Sequence, residues 1–597
     1  MATNSTFIHL HTLDLRVHDL PSLHVSHDPS SRIAKSTSHY LPVYIFDERA
    51  LDVSALPNTT AAPANTASER APKQSSELAE NPNHQPRKTR ASPVSRVGGF
   101  QRTSPYRLTH LLQSVFRLQQ TYRESGGDLL IGYGRPEVLV PALVQQLSEK
   151  GSVQGVWAQD EVTVEEKNTL LRLESALGEK TKLSLIDSKT LIPAKHLPFN
   201  PRTHTPDVYT AFRNKVEGLG LGLEDGMLVK PLKTAEWETA QDGIQKIRVS
   251  VGEKRVALKP FPEIDIESLK LPEGKGGWIK GSSVEELYPK LVGPLLASPP
   301  IGGWQSADGK TQPRLHENSA IPFLGGEDSA LTRLEHYVGH ADPASGRWTG
   351  GAAAKTYKNT RNGMVGQEFS TKFSTWLSLG CLSAREAGWR VGQLLEIVGK
   401  NKDERGNVYW IIFELLWRDF FQFTSLKFAQ PQSSSSSPIA STLFNPDGFS
   451  SQVTLYPKEL RPNPSDWHFP NWADENDKAR KWCEGRTGVP FIDANMRELV
   501  ETGWMSNRGR QNVASFLVKD LYVDWRIGAE FFEMHLIDYD TCSKQYQAGV
   551  GNDARSSRQF NPIKQAADYD PKGEYIRLWL PELAGVPDEL VQTPWRE

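Results

Sequence analysis

The sequence predicts an α/β N-terminal domain joined to an all-helical C-terminal domain. In the first 190 residues, short apolar runs of strand length alternate with helical patterns. Such alternation is typical of a parallel, Rossmann-like sheet that is covered on both faces. In the C-terminal half, long helical patterns dominate, and ten of the sixteen tryptophans lie between Trp348 and Trp525. This crowding of large rings indicates a helical core, with the alternative that some rings surround an aromatic cofactor or carry electrons.

The predicted strands are five apolar runs, at 7–10, 41–46, 128–131, 153–158 and 183–186. One helix is predicted where apolar residues recur at spacings of three and four residues, which places them on one helical face; they are Leu108, Leu111, Leu112, Val115, Leu118 and Tyr122. A second helical pattern runs over 136–150 and has a proline at its first turn, a position that suits this residue. In the C-terminal half, helices are predicted over 408–423 and 511–522.

Three stretches interrupt these patterns. Residues 51–99 contain no aromatic side chain, and six prolines fall between Pro57 and Pro93. We expect a disordered insertion at about 51–97, because this stretch buries too little apolar surface to offset chain entropy. The tract QSSSSS at 432–437 is expected to be a second flexible loop, and residues 218–315 a connector with little regular structure. The expected divisions are therefore 1–200, 201–315 and 316–597.

Composition excludes several classes of protein. The net charge is −2, which rules out a globally basic nucleic-acid coat but leaves room for a local basic groove. The three cysteines lie far apart, so a disulfide framework is not expected. No apolar run reaches membrane-spanning length, and no signal or transit peptide is evident. We expect an intracellular protein of the cytoplasm or nucleus without a membrane partner.

Common nucleotide and metal motifs are missing. Gly346 and Gly351 have Walker-A spacing, but Ala352 stands where lysine is required. After Gly132 and Gly134, Glu137 replaces the third glycine of a dinucleotide fingerprint. His9 and His11 alternate along the first strand. We read these two histidines as packing or surface residues, so no metal site is expected.

A hydroxyl-rich segment is the first candidate site. Ser370, Thr371, Lys372, Phe373 and Ser374 follow one another directly. Hydroxyl donors with one cation suit a pyrophosphate, through O–H donors and a charge-assisted bond. The alternative is that these hydroxyls cap helices, because Ser and Thr are common N-caps.

Further segments follow in a definite order. They are Glu414-Leu415-Leu416-Trp417-Arg418-Asp419-Phe420-Phe421, Trp504-Met505-Ser506-Asn507-Arg508-Gly509-Arg510-Gln511 and Asp538-Tyr539-Asp540. With the hydroxyl segment, and with Asp14-Leu15-Arg16-Val17-His18-Asp19 near the start, this series resembles the photolyase/cryptochrome family. Gln511, Tyr546 and Gly549-Val550-Gly551-Asn552-Asp553 are similar to its cryptochrome DASH branch.

The resemblance implies FAD as a cofactor. Residues matching those that hold the FAD diphosphate are Tyr357, Ser370, Thr371, Lys372, Phe373 and Ser374. Residues matching those around the flavin ring are Asn507, Arg510, Asp538 and Asp540. Arg510 and Asp538 could instead form a structural ion pair, and both interpretations can hold together. The resemblance also implies a 5,10-methenyltetrahydrofolate antenna, for which Glu161 is the candidate ligand; a surface carboxylate is the alternative.

The implied substrate is DNA that contains pyrimidine dimers. Glu414, Trp417, Gln511 and Tyr546 match the family's substrate pocket, where a flipped dimer needs an aromatic wall and hydrogen bonds to its edge. Candidates for phosphate contacts, or alternatively solvated surface charges, are Arg418, Arg508 and Arg558.

Two functions compete, and a monomer is expected for both. One is light-driven repair of cyclobutane pyrimidine dimers by a deoxyribodipyrimidine photolyase-like lyase, preferably in single-stranded DNA. The other is a blue-light photoreceptor without significant repair. A flavoprotein that binds nucleic acid without turnover is a third possibility. Retention of Glu414, Trp417, Gln511 and Tyr546 favours repair.

The sequence departs from the family in the electron-transfer chain. Trp472 matches its outer tryptophan and Trp525 its middle one. Where relatives read Ser-Asn-Tyr-Gly-Asn-Trp-Gln-Tyr, Ser543 is followed directly by Lys544, Gln545 and Tyr546. About four residues are absent, Lys544 takes the inner tryptophan position, and the asparagine expected beside flavin N5 falls in the gap. The alternative is that the gap is a gene-model error.

Overall fold

The structure is a computed structural model, and it describes most of the chain. The described residues are 4–51, 95, 97–223, 226–239, 245–251, 254–267, 269, 271, 274, 276–280, 283–292, 315–342, 345–428, 468–543 and 559–596. The expected insertion lies almost wholly outside these residues, and the QSSSSS tract lies wholly outside them. Among the described residues, no helix combines the length and the apolar character that a membrane span requires.

The strands build one large sheet and two small ones. They are β1 Ser5–His11, β2 His39–Asp47, β3 Leu130–Gly134, β4 Ser152–Gln159, β5 Leu183–Ile186, β6 Ala235–Thr239, β7 Gln245–Val251, β8 Lys254–Arg255, β9 Gly276–Ile279, β10 His340–Ala341 and β11 Trp348–Thr349. The large sheet has the order β5-β4-β1-β2-β3-β9. Its first five strands are parallel, and β9 pairs antiparallel with β3. The predicted parallel sheet is thereby confirmed.

Helices cover the sheet and build the C-terminal half. They are α1 Pro21–His27, α2 Arg32–Ser36, α3 Pro105–Glu124, α4 Pro136–Lys150, α5 Val164–Leu177, α6 Tyr209–Glu217, α7 Val284–Leu291, α8 Glu327–Val338, α9 Tyr357–Thr360, α10 Ser374–Leu379, α11 Ala384–Val398, α12 Lys402–Phe428, α13 Lys478–Cys483, α14 Pro490–Thr502, α15 Asn507–Ser515, α16 Trp525–His535, α17 Pro562–Tyr569 and α18 Glu574–Trp579. The predicted helix over 136–150 is confirmed, and the one over 408–423 lies inside α12.

The helix predicted over 511–522 is wrong at both ends. Helix α15 begins four residues earlier, because the Ser506 hydroxyl accepts a hydrogen bond from Gly509 N at 3.0 Å and caps the helix. The helix widens into a π-helical turn over Phe516–Asp520. Tyr522 then adopts a left-handed conformation with φ +53°, which ends the helical run.

The connector has more regular structure than we expected. It contains β6 to β9 and α7, and β9 extends the large sheet. A Cβ on Gly276 would lie 2.2 Å from Tyr133 O, and one on Gly277 would lie 2.6 Å from the Tyr133 hydroxyl. These glycines therefore permit a close approach to β3, although the glycine-rich sequence is typical of a loop.

Strand β1 separates two cores. Ile8 and Leu10 face a core that is packed against α4 and α5, whereas Phe7 belongs to the larger core that extends into the helical half. Side chains of a strand point alternately to opposite faces, so His9 and His11 lie on the same side as Phe7. The face of the sheet that meets the helical half therefore carries polar side chains.

The turn after β1 docks on the helical half through buried polar contacts. Arg16 Nη1 donates to Gly380 O at 2.9 Å, and the Asp19 carboxylate accepts two bonds of 2.9 Å from the Arg385 guanidinium. Gly380 has φ +69°, and a Cβ there would lie 2.0 Å from Leu13 O. Only glycine fits such an approach, so the backbones of the two halves touch at this point.

Candidate functional site

One cavity of about 490 Å³ lies in the helical half. Its walls come from the segment that contains α9 and α10, from α12, from the start of α15 and from the residues that follow α16. Every residue predicted to contact FAD lines it. These residues are Tyr357, Ser370, Thr371, Lys372, Phe373, Ser374, Asn507, Arg510, Asp538 and Asp540.

The hydroxyl-rich segment is held in place by Arg333, which the sequence did not single out. The Arg333 guanidinium donates to the carbonyl oxygens of Gln367 at 2.8 Å, Ser370 at 3.0 Å and Thr371 at 3.1 Å. Three bonds from one planar group fix the course of this backbone. A lone arginine in a helical pattern gives no sequence signal for this role.

Lys372 is buried at the cavity wall. It has φ +58°, its ammonium donates to Gln367 O at 3.0 Å, and it lies 3.5 Å from the ring centroid of Phe369. Burial in the first place, and Arg333 in the second, lower the pKa of Lys372 to about 7. A bound anion would favour its charged form.

The predicted pair of Arg510 and Asp538 is an ion pair in the structure. Arg510 Nη2 lies 2.9 Å from Asp538 Oδ2, and both side chains are buried. Arg510 Nε also donates to Met505 O at 2.8 Å. A buried pair of this kind presents fixed charges to whatever fills the cavity.

Asp540 connects the cavity with the N-terminal half. Its carboxylate accepts from Gln422 Nε2 at 3.0 Å. Burial opposes ionisation, but Lys189 and Arg418 lower the pKa of Asp540. Lys189 in turn lies 2.8 Å from Glu161, the predicted antenna ligand. Glu161 is thus a buried, paired carboxylate rather than a surface one.

Three of the four predicted substrate residues line the same cavity. They are Glu414, Trp417 and Gln511; Tyr546 lies outside the described residues. Glu414 is ion-paired with Arg361, a cavity residue that the sequence did not single out. Burial raises the pKa of Glu414, while Arg361 and Arg508 act to lower it.

The candidate DNA-binding arginines lie in different surroundings. Arg508 donates to Gln511 Oε1 and to Asn362 Oδ1, each at 2.9 Å, at the edge of the cavity. Arg418 also lines the cavity, but its guanidinium donates to the carbonyl oxygens of Lys189 and Leu377. Arg558 lies outside the described residues.

The two tryptophans predicted to transfer electrons are both described. Trp472 is partly buried, donates through Nε1 to Gly98 O at 3.0 Å, and packs against Phe100 with centroids 5.2 Å apart. Trp525 is buried and begins α16. The inner position, Lys544, lies outside the described residues.

Trp504 also lines the cavity. It is 4% exposed, and its Nε1 has no hydrogen-bond partner among the described residues. Such a buried donor usually finds an acceptor, so the cavity suits a ligand that brings one. Together with the hydroxyl cluster, Lys372 and the Arg510–Asp538 pair, this donor set fits a flavin dinucleotide.

His9, His11 and Asp14 come together at the end of β1. Their potential metal-ligand atoms lie within 4.8 Å of one another. However, His9 Nε2 lies 3.0 Å from Asp14 Oδ2, and His11 Nε2 lies 3.0 Å from the Tyr122 hydroxyl. These hydrogen bonds explain the cluster as a buried polar network.

Comparisons with known proteins match both halves of the chain. The model of the DNA photolyase family matches residues 7–231, and the model of the FAD binding domain of DNA photolyase matches residues 410–597. Cryptochrome DASH of Danio rerio is 39% identical over 504 residues, which are 83% of this chain and 77% of that protein. Cryptochrome DASH of Xenopus laevis is 38% identical over 508 residues, which are 83% of this chain and 76% of that protein.

A solved structure shows the same fold. The crystal structure of a cryptochrome from Synechocystis sp. PCC6803 superposes with a TM-score of 0.67 at 30% sequence identity. The superposition covers 100% of this chain and 92% of that chain. The chain therefore carries an FAD-binding domain and belongs to the photolyase/cryptochrome family, within its cryptochrome DASH branch.

Proposed function

We propose that the protein is a blue-light-absorbing FAD protein that splits cyclobutane pyrimidine dimers, preferably in single-stranded DNA. The observation that carries this proposal is that a single cavity is lined both by the residues expected to hold FAD and by Glu414, Trp417 and Gln511. When bound, reduced FAD would supply the light-excited electron that opens the dimer. Side chains of the protein would bind the dimer, orient it and donate hydrogen bonds to it.

Trp417 and Gln511 would orient the extruded dimer. Trp417 is partly exposed in the cavity, so its ring offers a face on which a base can stack. The Gln511 carbonyl accepts from Arg508, which leaves its NH₂ group to donate to a base carbonyl. The two groups thus supply the aromatic wall and the polar contact that a flipped base needs.

Glu414, when protonated, would donate a hydrogen bond to the charge that develops on the dimer. Its pKa is raised by burial and lowered by the charges of Arg361 and Arg508. A DNA phosphate that draws these guanidinium groups towards itself would weaken the lowering effect. DNA binding would then favour the protonated carboxyl, which can donate a hydrogen bond to a base carbonyl.

The preference for single strands follows from the cost of extruding the lesion. Flipping a base out of a duplex costs a few kcal/mol, and less in a single strand. The net charge of −2 shows that the chain has no excess of cations to offset that cost. We expect affinity to come from local groups such as Arg508, together with stacking.

We also propose that 5,10-methenyltetrahydrofolate binds between the two halves of the chain, near Glu161. The support is that Glu161 is linked through Lys189 to Asp540, which lines the FAD cavity. An antenna held there would lie close to the flavin. Extraction of the purified protein with acid, followed by chromatography against a folate standard, tests this site.

Repair assays test the main function. The purified protein, with FAD reduced chemically, is illuminated with a single thymine dimer in a single-stranded and in a duplex oligonucleotide. We expect faster repair in the single strand. Absence of repair by the wild type at any light dose, with FAD bound, would favour a photoreceptor or a binding protein without turnover.

Glu414→Ala tests the role of the carboxyl. We expect the rate of ring splitting to fall by about ten- to a hundredfold, because one charge-assisted bond to the transition state is worth about 1.5–3 kcal/mol. DNA affinity should change little. Glu396→Ala, which removes an exposed carboxyl, is the matched control. Equal losses of affinity and rate would contradict this role.

Two further expectations concern the state of the protein in the cell. We propose a monomer, which light scattering would show as a mass near 66.7 kDa that is independent of concentration. We propose a location in the cytoplasm or nucleus, which imaging of a fluorescent fusion in the native host would test. A dimer mass or an organellar signal would contradict these expectations.

A further inference from the structure

The indole of Trp417 is covered on one face by the phenol ring of Tyr209. The ring centroids are 3.7 Å apart and the planes differ by 10°, which is the shortest ring separation within the described part of the chain. Tyr209 is buried and does not line the cavity, whereas Trp417 is partly exposed and does. The phenol therefore supports the indole from behind, and the cavity lies on its other side.

Tyr209 is itself held from several directions. Its hydroxyl donates to Phe413 O at 2.7 Å. Its ring meets the ring of Phe413 edge to face at 5.2 Å and that of Phe420 at 5.8 Å. Burial first, and Glu414 second, raise the pKa of Tyr209, so its hydroxyl stays a neutral donor. These contacts leave the phenol one orientation.

Helix α6 begins with Tyr209. Polar contacts near both of its ends join it to α12. Lys427 lies 2.6 Å from Asp207, just before α6. Near the end of α6, the Tyr409 hydroxyl is hydrogen-bonded to Glu217. The two helices therefore run antiparallel with a fixed offset, which brings Tyr209 opposite Trp417.

We propose that Tyr209 is a positioning residue, which holds the indole of Trp417 in the plane on which an extruded pyrimidine stacks. This inference rests on the proposed function, in which Trp417 is the wall of the substrate pocket. An indole with one face covered loses the freedom to turn about its two side-chain torsions. The ordering cost at binding is then smaller, because the wall is already in place.

Three variants separate the stack from the hydrogen bond and from general packing. Tyr209→Phe keeps the ring and loses the hydroxyl, whereas Tyr209→Leu loses the stack. Phe212→Leu is the matched control, because Phe212 lies on the same helix and packs against Phe420 and Phe423. If Tyr209→Leu does not fold by circular dichroism, Tyr209→Met replaces it, because it also lacks the ring.

The first measurement needs neither DNA nor light. The protein is labelled with 5-fluorotryptophan, and the ¹⁹F signal of Trp417 is assigned with Trp417→Phe. We expect one narrow signal in the wild type, Tyr209→Phe and Phe212→Leu, and a broadened or split signal in Tyr209→Leu. A Trp417 signal that stays narrow at an unchanged shift in Tyr209→Leu would overturn the proposal.

The second measurement is the affinity for a single strand that contains one thymine dimer. We expect Tyr209→Leu to weaken it by about tenfold, the size of one lost aromatic pair. Tyr209→Phe should stay within about twofold, and affinity for the undamaged strand should not change. In a Trp417→Leu background, Tyr209→Leu should have no further effect on dimer affinity.

The outcomes distinguish a failure of the role proposed for Tyr209 from a failure of the proposed repair function. Losses that add in the double variant, or that are equal for undamaged DNA, would mean that Tyr209 acts only on stability and would overturn the proposal. A wild type that does not prefer the dimer would count against the proposed function instead. In that case the fluorine signal alone still decides whether Tyr209 fixes the indole.

Discussion

At the scale of residues, Lys372 is a side chain whose charge should respond to a bound anion. Its pKa is lowered to about 7 by burial, with Arg333 as the second cause. A diphosphate would favour the protonated form, so FAD affinity should fall as the pH rises above about 7. A lysine in a hydroxyl-rich segment could be predicted from sequence, but its burial could not.

Replacing Lys372 with glutamate tests this residue. We expect FAD affinity to fall by at least about tenfold, because a charge-assisted bond is lost and a like charge faces the diphosphate. Flavin fluorescence after dialysis measures the retained cofactor. Lys400→Glu, at an exposed position, makes the same charge change and should retain FAD. Equal retention in both variants would show that Lys372 does not contact the diphosphate.

The sequence singled out three of the four side chains in the two polar pairs of the substrate site, but it did not show which side chains are paired. Glu414 and Gln511 were predicted, and the structure adds Arg361 to the first and joins Arg508 to the second. Arg361 lies 53 positions from Glu414 in the chain. Periodicity cannot reveal such a pairing, because it depends on how α12 packs against the segment with α9. The roles of these residues stay predictions.

At the scale of elements, the entry of α15 into the cavity depends on one glycine. A Cβ on Gly509 would lie 1.9 Å from Asn495 Oδ1 and 2.7 Å from Met505 Cγ. The close packing of α14 and α15 at this point places Arg508, Arg510 and Gln511. The sequence predicted a helix here but placed its start four residues too late. The reason is that Ser506 was not recognised as its N-cap.

Gly509→Ala should therefore destabilise the protein by about 1–3 kcal/mol, the usual cost of overpacking a core. It should also weaken FAD binding, because α15 must shift. Gly406→Ala is the control, since nothing lies within 4 Å of a Cβ there. That change should be neutral or stabilising by up to about 1 kcal/mol. Urea unfolding of both variants measures these values, and a neutral Gly509→Ala would contradict the packing argument.

The segment after Ser543 should limit the rate at which light reduces the flavin. Lys544 has no π system and stands where relatives carry the inner tryptophan. With an external reductant, illumination should therefore reduce FAD far more slowly than in a relative with all three tryptophans. Absorbance spectra during illumination measure the rate.

Two replacements test the cause. Exchanging residues 543–546 for Ser-Asn-Tyr-Gly-Asn-Trp-Gln-Tyr should recover the rate, whereas the same exchange with phenylalanine for tryptophan should not. Rapid photoreduction of the chain as it stands would mean that another ring has taken over, with Tyr546 and the cavity-lining Trp504 as candidates.

At the scale of the whole molecule, buried histidines limit stability in acid. Burial is the first cause that lowers the pKa of His9, His27 and His110 to about 4, from the usual 6.5 of a histidine. Between pH 6.5 and about 4, these histidines are therefore protonated in the unfolded chain but neutral in the folded chain. Stability should be complete above about pH 6.5 and should be lost as the pH falls towards 4, by up to about 3 kcal/mol for each histidine.

His110→Gln tests this balance. Between about pH 6.5 and pH 5, the variant should lose about 2 kcal/mol less unfolding free energy than the wild type. His196→Gln, at an exposed position, should follow the wild-type profile. Urea unfolding at a series of pH values gives both curves, and parallel curves for wild type and His110→Gln would contradict the assignment.

We expect the turn that joins the halves to make them unfold together. If the N-terminal half unfolded alone, Arg385 would lose the carboxylate of Asp19, its buried partner, and the backbone of Gly380 would lose its close neighbour. An uncompensated buried charge costs about 3–5 kcal/mol. Partial unfolding that spares the FAD cavity should therefore be penalised, so the sheet stabilises the cavity although none of its described side chains lines the walls.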